Sequence, residues 1–225
     1  YAVRTDTGDL LWQYDVGFPD ADLAMGPDGT LYVPDDTHTL YAFQCADSTC
    51  SPPAHTVHTV TNLNDSGAGS LRQAVADGDT VQFQTGLSGT ITLSTPITVD
   101  KRVVINGSGA ANIILSGSGT HALFNVPAKK DVTLNNLTIA NGKPGILASG
   151  IVHINNVLFT GNTNSDYPGG GALSIALGSY VSITNSTFTN NTATSGGAIY
   201  NSGKLRVANS TFSGNSASFG GALQN

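Results

Sequence analysis

The sequence predicts an all-β fold, in which short strands stacked into a solenoid make up most of the chain. Glutamate, a good helix former, is absent from the 225 residues, whereas the strand formers Thr, Val and Ile are common. Glycine occurs 27 times and charged residues make up only 11 % of the chain, as expected for many tight turns. From about residue 80 onward, short apolar runs and Asn- or Gly-containing turns recur every 20–30 residues, which is the period of a solenoid coil.

Residues 1–45 carry a different pattern, in which about 40 residues contain four short strands. Tyr1-Ala2-Val3 returns as Tyr41-Ala42-Phe43, and Asp28-Gly29 between apolar runs predicts a hairpin turn. Four strands in 40 residues is the content of one propeller blade. Together with Leu10-Leu11-Trp12, these residues resemble the repeat of quinoprotein-like β-propellers. The resemblance implies a partial, blade-like segment without a quinone site, and Trp12 is interpreted as a packing residue.

A linker is predicted over residues 46–58. The consecutive prolines Pro52 and Pro53 prevent pairing into a sheet and stiffen the chain. Cys45 and Cys50 are the only two cysteines, and a zinc site usually needs four ligands. A local disulfide between them is therefore favoured over free thiols, and it would indicate an oxidising compartment.

A short helix over about residues 70–76 is predicted to cap the solenoid. Ser70 is a good N-cap, and Gln73 lies three residues later, as in a capping box. Leu71, Ala74 and Val75 share one helical face. Such a helix would cover the open end of the first coil, because solenoids require caps and unpaired strand edges invite further pairing.

The repeats predict equivalent corners in successive coils. The second Asn of each repeat stands at 136, 156, 185 and 209, in steps of 20, 29 and 24 residues. Asn tolerates the left-handed backbone of a sharp corner, and Gly-Gly allows a second corner where a side chain would clash. The predicted corner residues are Asn136, Asn156, Asn185, Asn209, Gly171, Gly197 and Gly221.

A column of aromatic residues is predicted inside the solenoid. Phe159, Phe188 and Phe212 hold equivalent positions in three repeats, and Ile139 occupies the same position one coil earlier. Stacked coils would place these side chains about 4.8 Å apart, the spacing between strands. We therefore expect a continuous apolar core along the solenoid axis.

The paired motifs resemble those of a known family. Phe188-Thr189-Asn190-Asn191 and Phe212-Ser213-Gly214-Asn215 are each followed by Gly-Gly-Ala and an aliphatic residue, and Phe159-Thr160-Gly161-Asn162 is a third copy. These FxxN and GGA(I/L/V) motifs are similar to the repeats of polymorphic outer membrane proteins and other secreted bacterial β-helix proteins. The resemblance implies a right-handed parallel β-helix over residues 59–225, continuing beyond 225 in a longer polypeptide at the cell surface.

Composition excludes several functions. A net charge of −6 and the lack of a basic stripe argue against a nucleic-acid partner. No apolar run approaches the ~18 residues of a membrane span. His55 and His58 are interpreted as exposed linker residues, and no metal, cofactor or catalytic residue is predicted.

Enzymatic activity is the main alternative, because parallel β-helices also carry polysaccharide lyases and glycoside hydrolases. After residue 80 the only acids are Asp100, Asp131 and Asp166, which are some 30 residues apart and are placed at turns of differing register. His153 alternates with Val152 and Ile154, so it is expected to face solvent. The sequence therefore favours a structural or adhesive stalk. The alternative is a carbohydrate-active β-helix whose site lies outside this segment or is incomplete in it.

One lengthened turn over residues 163–168 accounts for the 29-residue step. Insertions in solenoids collect on binding faces, so Asn164, Asp166 and Tyr167 are candidates for binding a glycan or a host or cell-surface protein. A tolerated surface loop remains the alternative interpretation.

Overall fold

The computed structural model describes residues 56–109 and 112–225 throughout, and five strands in the residues before them. The chain divides into two compact units, Tyr1–His55 and Thr56–Asn225. The predicted linker lies largely outside the described residues, as do Cys45, Cys50 and the Asp28-Gly29 turn.

The described strands of the first unit form two small antiparallel sheets. Strands β1 (Ala2–Val3) and β2 (Leu10–Trp12) form a pair. Strands β3 (Ala24–Met25), β4 (Leu31–Pro34) and β5 (Leu40–Phe43) form a meander in sequence order. The propeller-blade interpretation of this unit remains a prediction.

The described residues of the second unit are almost entirely β-structure, with one short helix. It begins with β6 (Val57–Val60) and α1 (Leu71–Asp77). The strands that follow are β7 (Asp79–Phe83), β8 (Gly89–Thr92), β9 (Ile97–Thr98), β10 (Val103–Asn106), β11 (Ile113–Ser116), β12 (Phe124–Val126), β13 (Asp131–Asn135), β14 (Thr138–Ala140), β15 (Ile146–Ala148), β16 (Ile151–Asn155), β17 (Leu158–Thr160), β18 (Thr163–Asn164), β19 (Leu173–Ile175), β20 (Tyr180–Thr184), β21 (Thr187–Thr189), β22 (Thr192–Ser195), β23 (Ile199–Asn201), β24 (Lys204–Ala208), β25 (Thr211–Ser213), β26 (Ser216–Phe219) and β27 (Leu223–Gln224).

Every strand pairing in this unit is parallel, between strands of successive coils. A seven-stranded sheet runs in the order β6-β7-β10-β13-β16-β20-β24. Two six-stranded sheets run β8-β11-β14-β17-β21-β25 and β9-β12-β15-β19-β23-β27. The predicted fold class is confirmed, because this topology is that of a right-handed parallel β-helix.

The last three coils carry a fourth sheet that sequence reasoning missed. Strands β18, β22 and β26 form it, in that order. They follow the FxxN motifs directly and are rich in small polar residues, so they lack the apolar run that marked the other strands. The three-strand coil is therefore a four-strand coil toward residue 225.

The core is a stack of like residues along the solenoid. The register pairs Ile139 with Phe159, Phe159 with Phe188, and Phe188 with Phe212. The rings of Phe159 and Phe188 have centroids 4.7 Å apart, and those of Phe188 and Phe212 are 4.8 Å apart. Both pairs are nearly parallel, with interplanar angles of 2° and 5°. Coil-on-coil stacking therefore fixes this column at the strand spacing.

Helix α1 packs its apolar face against β6 and β7 at one edge of the seven-stranded sheet. Leu71, Ala74 and Val75 are buried. The Ser70 hydroxyl accepts a hydrogen bond from the Gln73 backbone N–H at 3.3 Å. The reciprocal half of the predicted capping box does not form, because the Gln73 side chain donates to Asp77 at 2.9 Å and the Ser70 N–H donates to the Gly67 carbonyl.

The β-helix begins earlier than the sequence predicted. Val57 and His58 were assigned to the linker, but both lie in β6. Thr59 pairs with Gln82, and Val60 with Phe83, in the parallel register of the following coil. The β-branched residues Val57, Thr59 and Val60 favour a strand, so the β-helix begins shortly after the proline-containing segment.

Candidate functional site

The outer face of the seven-stranded sheet gathers polar residues from successive coils. In β13, Val132 and Leu134 point into the core, and Asp131 and Thr133 point outward, as the burial pattern of the strand shows. β16 follows the same alternation, and β20 follows it from Val181 onward, whereas Tyr180 is buried at its outward register position. Each outward position therefore forms a row that runs along the solenoid axis.

The strand register defines two neighbouring outward rows. One row contains Asp131, Ile151, Tyr180 and Lys204. The other contains Thr133, His153, Ser182 and Arg206. Residues that are 20–30 apart in sequence thereby become neighbours on adjacent coils.

His153 is the centre of this cluster. Its Nδ1 and the Ser182 hydroxyl oxygen are 2.8 Å apart and share a hydrogen bond. Its Nε2 lies 4.0 Å from Asp131 Oδ1. The Tyr180 ring is tilted by 53° beside the imidazole, with the two centroids 6.2 Å apart. The imidazole is thus held between a hydroxyl and a carboxylate.

Arg102 completes the cluster from the turn that precedes β10. Its Nε lies 3.4 Å from Asp131 Oδ2, so the two oxygens of that carboxylate face a guanidinium and an imidazole. The side chains of Asp131 and His153 are only 18 % and 14 % exposed. This partial burial of Asp131 reduces screening by solvent and strengthens its attraction to the Arg102 guanidinium.

Two expectations from sequence are wrong at this place. His153 does not face open solvent, because Asp131, Tyr180 and Ser182 pack around it. Asp131 does not belong to an isolated turn, because it is the first residue of β13 and lies in register with the coils that follow. Sequence distance was misleading, since one coil of a solenoid separates spatial neighbours by 20–30 residues.

The lengthened turn differs from the predicted surface site. Asn164 is buried, and its amide nitrogen donates to Ser174 Oγ at 3.2 Å while its oxygen accepts from the Asp166 N–H at 3.0 Å. Asn164 therefore shapes the turn from inside and is not available to a ligand, contrary to the prediction. Asp166 and Tyr167 are exposed, and Tyr167 is 74 % accessible.

The Asn corner column adopts the left-handed backbone. Asn136, Asn156, Asn185 and Asn209 have φ between 49° and 57°. The Asn156 amide donates to Asn136 at 2.7 Å, whereas the Asn185 amide donates to Asn155 at 2.9 Å. Hydrogen bonds from side-chain amides thus link adjacent coils at this corner, although the bonded residues do not always hold equivalent positions.

The last Asn of the FxxN motif forms a second ladder that sequence reasoning missed. Asn162 and Asn191 are fully buried. The Asn162 amide donates to Asn191 Oδ1 at 2.9 Å, and the Asn191 amide donates to Asn215 Oδ1 at 2.9 Å. The recurrence of Asn three residues after each Phe was the available signal. These buried amides satisfy backbone groups at a corner that no apolar residue could satisfy.

The second glycine of the Gly-Gly-Ala motif is required by close backbone approach. A Cβ at Gly171 would meet the carbonyl oxygen of Gly197 at 2.5 Å, and one at Gly197 would collide with the carbonyl oxygen of Gly221. At Gly221 the nearest such atom is at 3.6 Å, the Asn215 carbonyl oxygen. Gly171 and Gly197 therefore allow successive coils to approach closely at this corner.

A second polar pocket lies beside α1, but its Arg72 side chain is already hydrogen-bonded within the protein. A pocket there is lined by Arg72, Asp100 and Lys101. The Arg72 guanidinium donates to Asp65 at 2.6 Å and to the carbonyls of Thr95 and Pro96. This arrangement holds α1 against the first coils and leaves the outer face of the seven-stranded sheet as the stronger candidate.

Partial burial raises the pKa of Asp65, but hydrogen bonds from Ser94 and Arg72, together with the Arg72 charge, outweigh this effect. The net result is a pKa below the ordinary value of 3.8. Asp65 therefore remains ionised in the folded protein and ties the chain before α1 to the turn at Ser94.

The described residues do not bring three His, Cys, Asp or Glu side chains together in a way that suits a metal ion. No helix in the described part of the chain is both long and apolar enough to cross a membrane.

Comparison with known proteins agrees with this architecture. Residues 122–223 match the family model of the right handed β-helix region. The matched range contains Asp131, His153, Tyr180 and Ser182, and Arg102 lies before it.

Curated relatives share a smaller part of their length with this chain. A probable pectate lyase C of Neosartorya fischeri is 39 % identical over 109 residues, which cover 46 % of this chain and 24 % of the relative. A probable pectate lyase C of Aspergillus fumigatus gives the same values. One of Aspergillus terreus is 40 % identical over 92 residues, or 40 % of this chain and 20 % of the relative. The chain therefore spans about a quarter or less of the length of these relatives.

Proposed function

We propose that this chain is the β-helical part of an extracellular, carbohydrate-active protein that binds polysaccharide along the outer face of its seven-stranded sheet. The observation that carries the proposal is the cluster of Arg102, Asp131, His153 and Ser182 across successive coils. The similarity to proteins named pectate lyase supports a polysaccharide as the ligand. It also supports secretion, because a plant or microbial polysaccharide is met outside the cell.

The shape of the face suits an extended polymer. The two outward rows run along the solenoid axis, and three coil steps separate Asp131 from Lys204. At the strand spacing this distance is roughly 14 Å, which is enough to contact several sugar units.

The charge of the face favours an acidic polysaccharide. Lys204 and Arg206 lie outward on β24 and are exposed. Guanidinium and ammonium groups bind carboxylates through charge-assisted hydrogen bonds. Pectate carries such a carboxylate on each uronate unit, so it is the acidic polymer to test first.

A calcium-assisted lyase step does not follow from the described residues. Calcium takes six to eight oxygen ligands, several of them carboxylates. Asp131 is the only carboxylate in the cluster, and Arg102 already faces one of its oxygens. We therefore derive no step through a metal ion here.

Binding and cleavage of pectate test the proposal directly. The chain is mixed with pectate or with neutral dextran, and affinity electrophoresis measures retardation. The double variant Lys204→Gln/Arg206→Gln should weaken pectate binding at least about fivefold, as expected when about 1 kcal/mol of charge interaction is lost. Lys143→Gln, in the exposed turn between β14 and β15, removes one cation from another part of the surface and should have no effect.

Product analysis in the same reactions separates binding from catalysis. New reducing ends or unsaturated products would add depolymerising activity to the proposed binding. If the chain is retarded equally by pectate and by dextran, and the double variant behaves as the unchanged chain, the proposed polysaccharide face is wrong.

A structural or adhesive stalk is the second candidate. The observation in its favour is the continuous ladder of Asn, Phe and Gly positions, which stabilises a long rod and requires no catalytic residue. A glycan array distinguishes the two, because a stalk without a ligand should bind nothing on it. Binding through Tyr167 alone, abolished by Tyr167→Ala, would favour adhesion through the lengthened turn.

A further inference from the structure

We propose that Ser182, His153 and Asp131 form a nucleophilic triad that hydrolyses acyl esters. The class of substrate, an O-acylated polysaccharide, rests on the proposed function above, whereas the ester chemistry rests on the geometry of the three side chains alone. The three residues come from three successive coils, on β20, β16 and β13.

The contact between nucleophile and base has the required length. The Ser182 Oγ and His153 Nδ1 are 2.8 Å apart, within the range for proton transfer from a hydroxyl to an imidazole. A hydroxyl on an outward strand position is also reachable from solvent, since Ser182 is only half-buried. The pair therefore meets the first condition for an activated serine.

The third group lies on the opposite side of the imidazole. His153 Nε2 faces Asp131 Oδ1 at 4.0 Å. In a serine triad the carboxylate orients the imidazole and stabilises the imidazolium that forms when the serine loses its proton. A separation of 4.0 Å allows this charge stabilisation, and such contacts tighten when substrate binds. The Arg102 Nε lies 3.4 Å from the other carboxylate oxygen and helps to orient Asp131.

The negative charge that develops on the ester oxygen needs a positive group beside the nucleophile. Arg206 is the register partner of Ser182 on the next coil and lies outward and exposed. A guanidinium beside the nucleophile stabilises an oxyanion by charge and by hydrogen bonding. We assign this role to Arg206, because the backbone N–H groups of the central strands are engaged in the sheet.

The proposed reaction has two half-steps. The Ser182 Oγ attacks the ester carbonyl carbon and passes its proton to His153 Nδ1. The bond between that carbon and the sugar oxygen breaks, and His153 returns the proton to the departing alcohol. Water then attacks the acyl-serine with His153 as base, which releases the carboxylic acid and restores the Ser182 hydroxyl.

The position of the triad bears on the kind of ester. The three residues occupy outward strand positions, so we expect a small acyl group such as acetyl to fit better than a long chain. An extended polysaccharide lying along the rows would present its ester substituents toward Ser182. The expected substrate is therefore a sugar polymer that bears small O-acyl groups.

The closing experiment measures ester hydrolysis and covalent labelling on the full chain. Wild-type protein should hydrolyse p-nitrophenyl acetate, and a fluorophosphonate should add to Ser182, located by peptide mass spectrometry. Ser182→Ala should lower the rate at least about 100-fold and abolish labelling, His153→Gln should do nearly the same, and Asp131→Asn should lower the rate about tenfold or more. Thr189→Ala is the matched control, because it removes a half-buried hydroxyl from β21, in a different sheet, and should leave both readouts unchanged.

The outcomes distinguish a failure of the catalytic triad from a failure of the proposed polysaccharide binding. Pectate binding without ester hydrolysis or labelling would overturn the triad and leave the polysaccharide face standing. Hydrolysis of the small ester without polysaccharide binding would support the triad but contradict a polymeric substrate. An unchanged rate in a folded Ser182→Ala protein, checked by circular dichroism, would assign the activity elsewhere and refute the proposal.

Discussion

Phe159 and Phe188 stack face to face on adjacent coils, with ring centroids 4.7 Å apart and planes 2° from parallel. Both rings are fully buried, and Phe212 continues the column one coil later in a partly buried position. The spacing of the rings equals the spacing between strands, so the same stacking that pairs the backbone also packs the core.

Phe188→Ala should lower the free energy of unfolding by roughly 3–5 kcal/mol, as for other core Phe truncations. It removes the middle ring, which contacts both neighbours. Phe212→Ala should have a smaller effect, because Phe212 has a neighbouring ring on one side only. Urea unfolding followed by circular dichroism measures both. A loss below about 1 kcal/mol for Phe188→Ala would contradict a packed column.

Asn191→Ala should destabilise the protein by at least about 1–3 kcal/mol, because it leaves buried hydrogen-bonding groups without a partner. The Asn191 oxygen accepts from the Asn162 N–H at 3.0 Å, and its amide donates to the Phe159 carbonyl at 3.1 Å. Asn156→Gly is the control, since glycine readily adopts the left-handed corner and Asn156 is exposed. Equal losses in thermal unfolding for the two variants would show that burial of the amide does not matter.

Gly197→Ala should destabilise the protein by about 1–3 kcal/mol or more, because its Cβ would collide with backbone atoms that cannot move independently. Gly221→Ala is the matched control from the same motif, where the nearest atom is at an ordinary contact distance of 3.6 Å. Denaturant midpoints of the two variants test the difference. If both glycines tolerate alanine equally, close coil approach at this corner is not what requires glycine.

Lowering the pH should weaken the attachment of α1 through Asp65. The folded pKa of this carboxyl lies below its ordinary value of 3.8, so its contribution to stability is present above that value and is lost as the pH falls through the folded pKa. Asp65→Asn should therefore be less stable than the unchanged chain at about pH 7, and the two should converge in strong acid. Thermal unfolding across this range measures the convergence.

Ser94→Ala provides a second variant for the same contact. It removes the hydroxyl that donates to Asp65 but keeps the Arg72 ion pair at 2.6 Å. We expect an intermediate loss of stability near neutral pH. A stability difference for Asp65→Asn that is constant with pH would contradict the lowered pKa.

Tyr167→Ala should change stability by no more than about 0.5 kcal/mol, because the ring is 74 % exposed. Asn164→Ala, three residues earlier, should cost more, because it removes the buried amide that ties Gly170 and Ser174 to the turn. Differential scanning calorimetry compares the two. A larger loss for Tyr167→Ala would mean that the ring, and not the buried amide, holds the lengthened turn.

The repeat was predictable from sequence because its corners are chemically restrictive. Only Asn or Gly fits a left-handed corner easily, and only Gly fits where two backbones nearly touch, as at Gly171. These residues recur visibly in the chain, and so does Phe at the core position. The fourth sheet carried no comparable signal, since the strand that begins at Thr163 contains no apolar residue.

The candidate site was not predictable, because it depends on alignment between coils of unequal length. Asp131 and His153 are 22 residues apart, and His153 and Ser182 are 29 apart. Whether such residues meet depends on where each coil places its extra residues, here in the turn after Asn164. That position becomes known only once the register is known.

The amino-acid sequence by itself determined the coil, its corners and its aromatic column, because each is a local requirement of backbone geometry and burial. Only the tertiary structure decided which polar side chains face one another on the outer surface. The physical reason is that surface residues far apart in sequence become neighbours when the coils stack. A residue inserted in a turn leaves the core intact, yet it changes the sequence separation at which two surface residues meet.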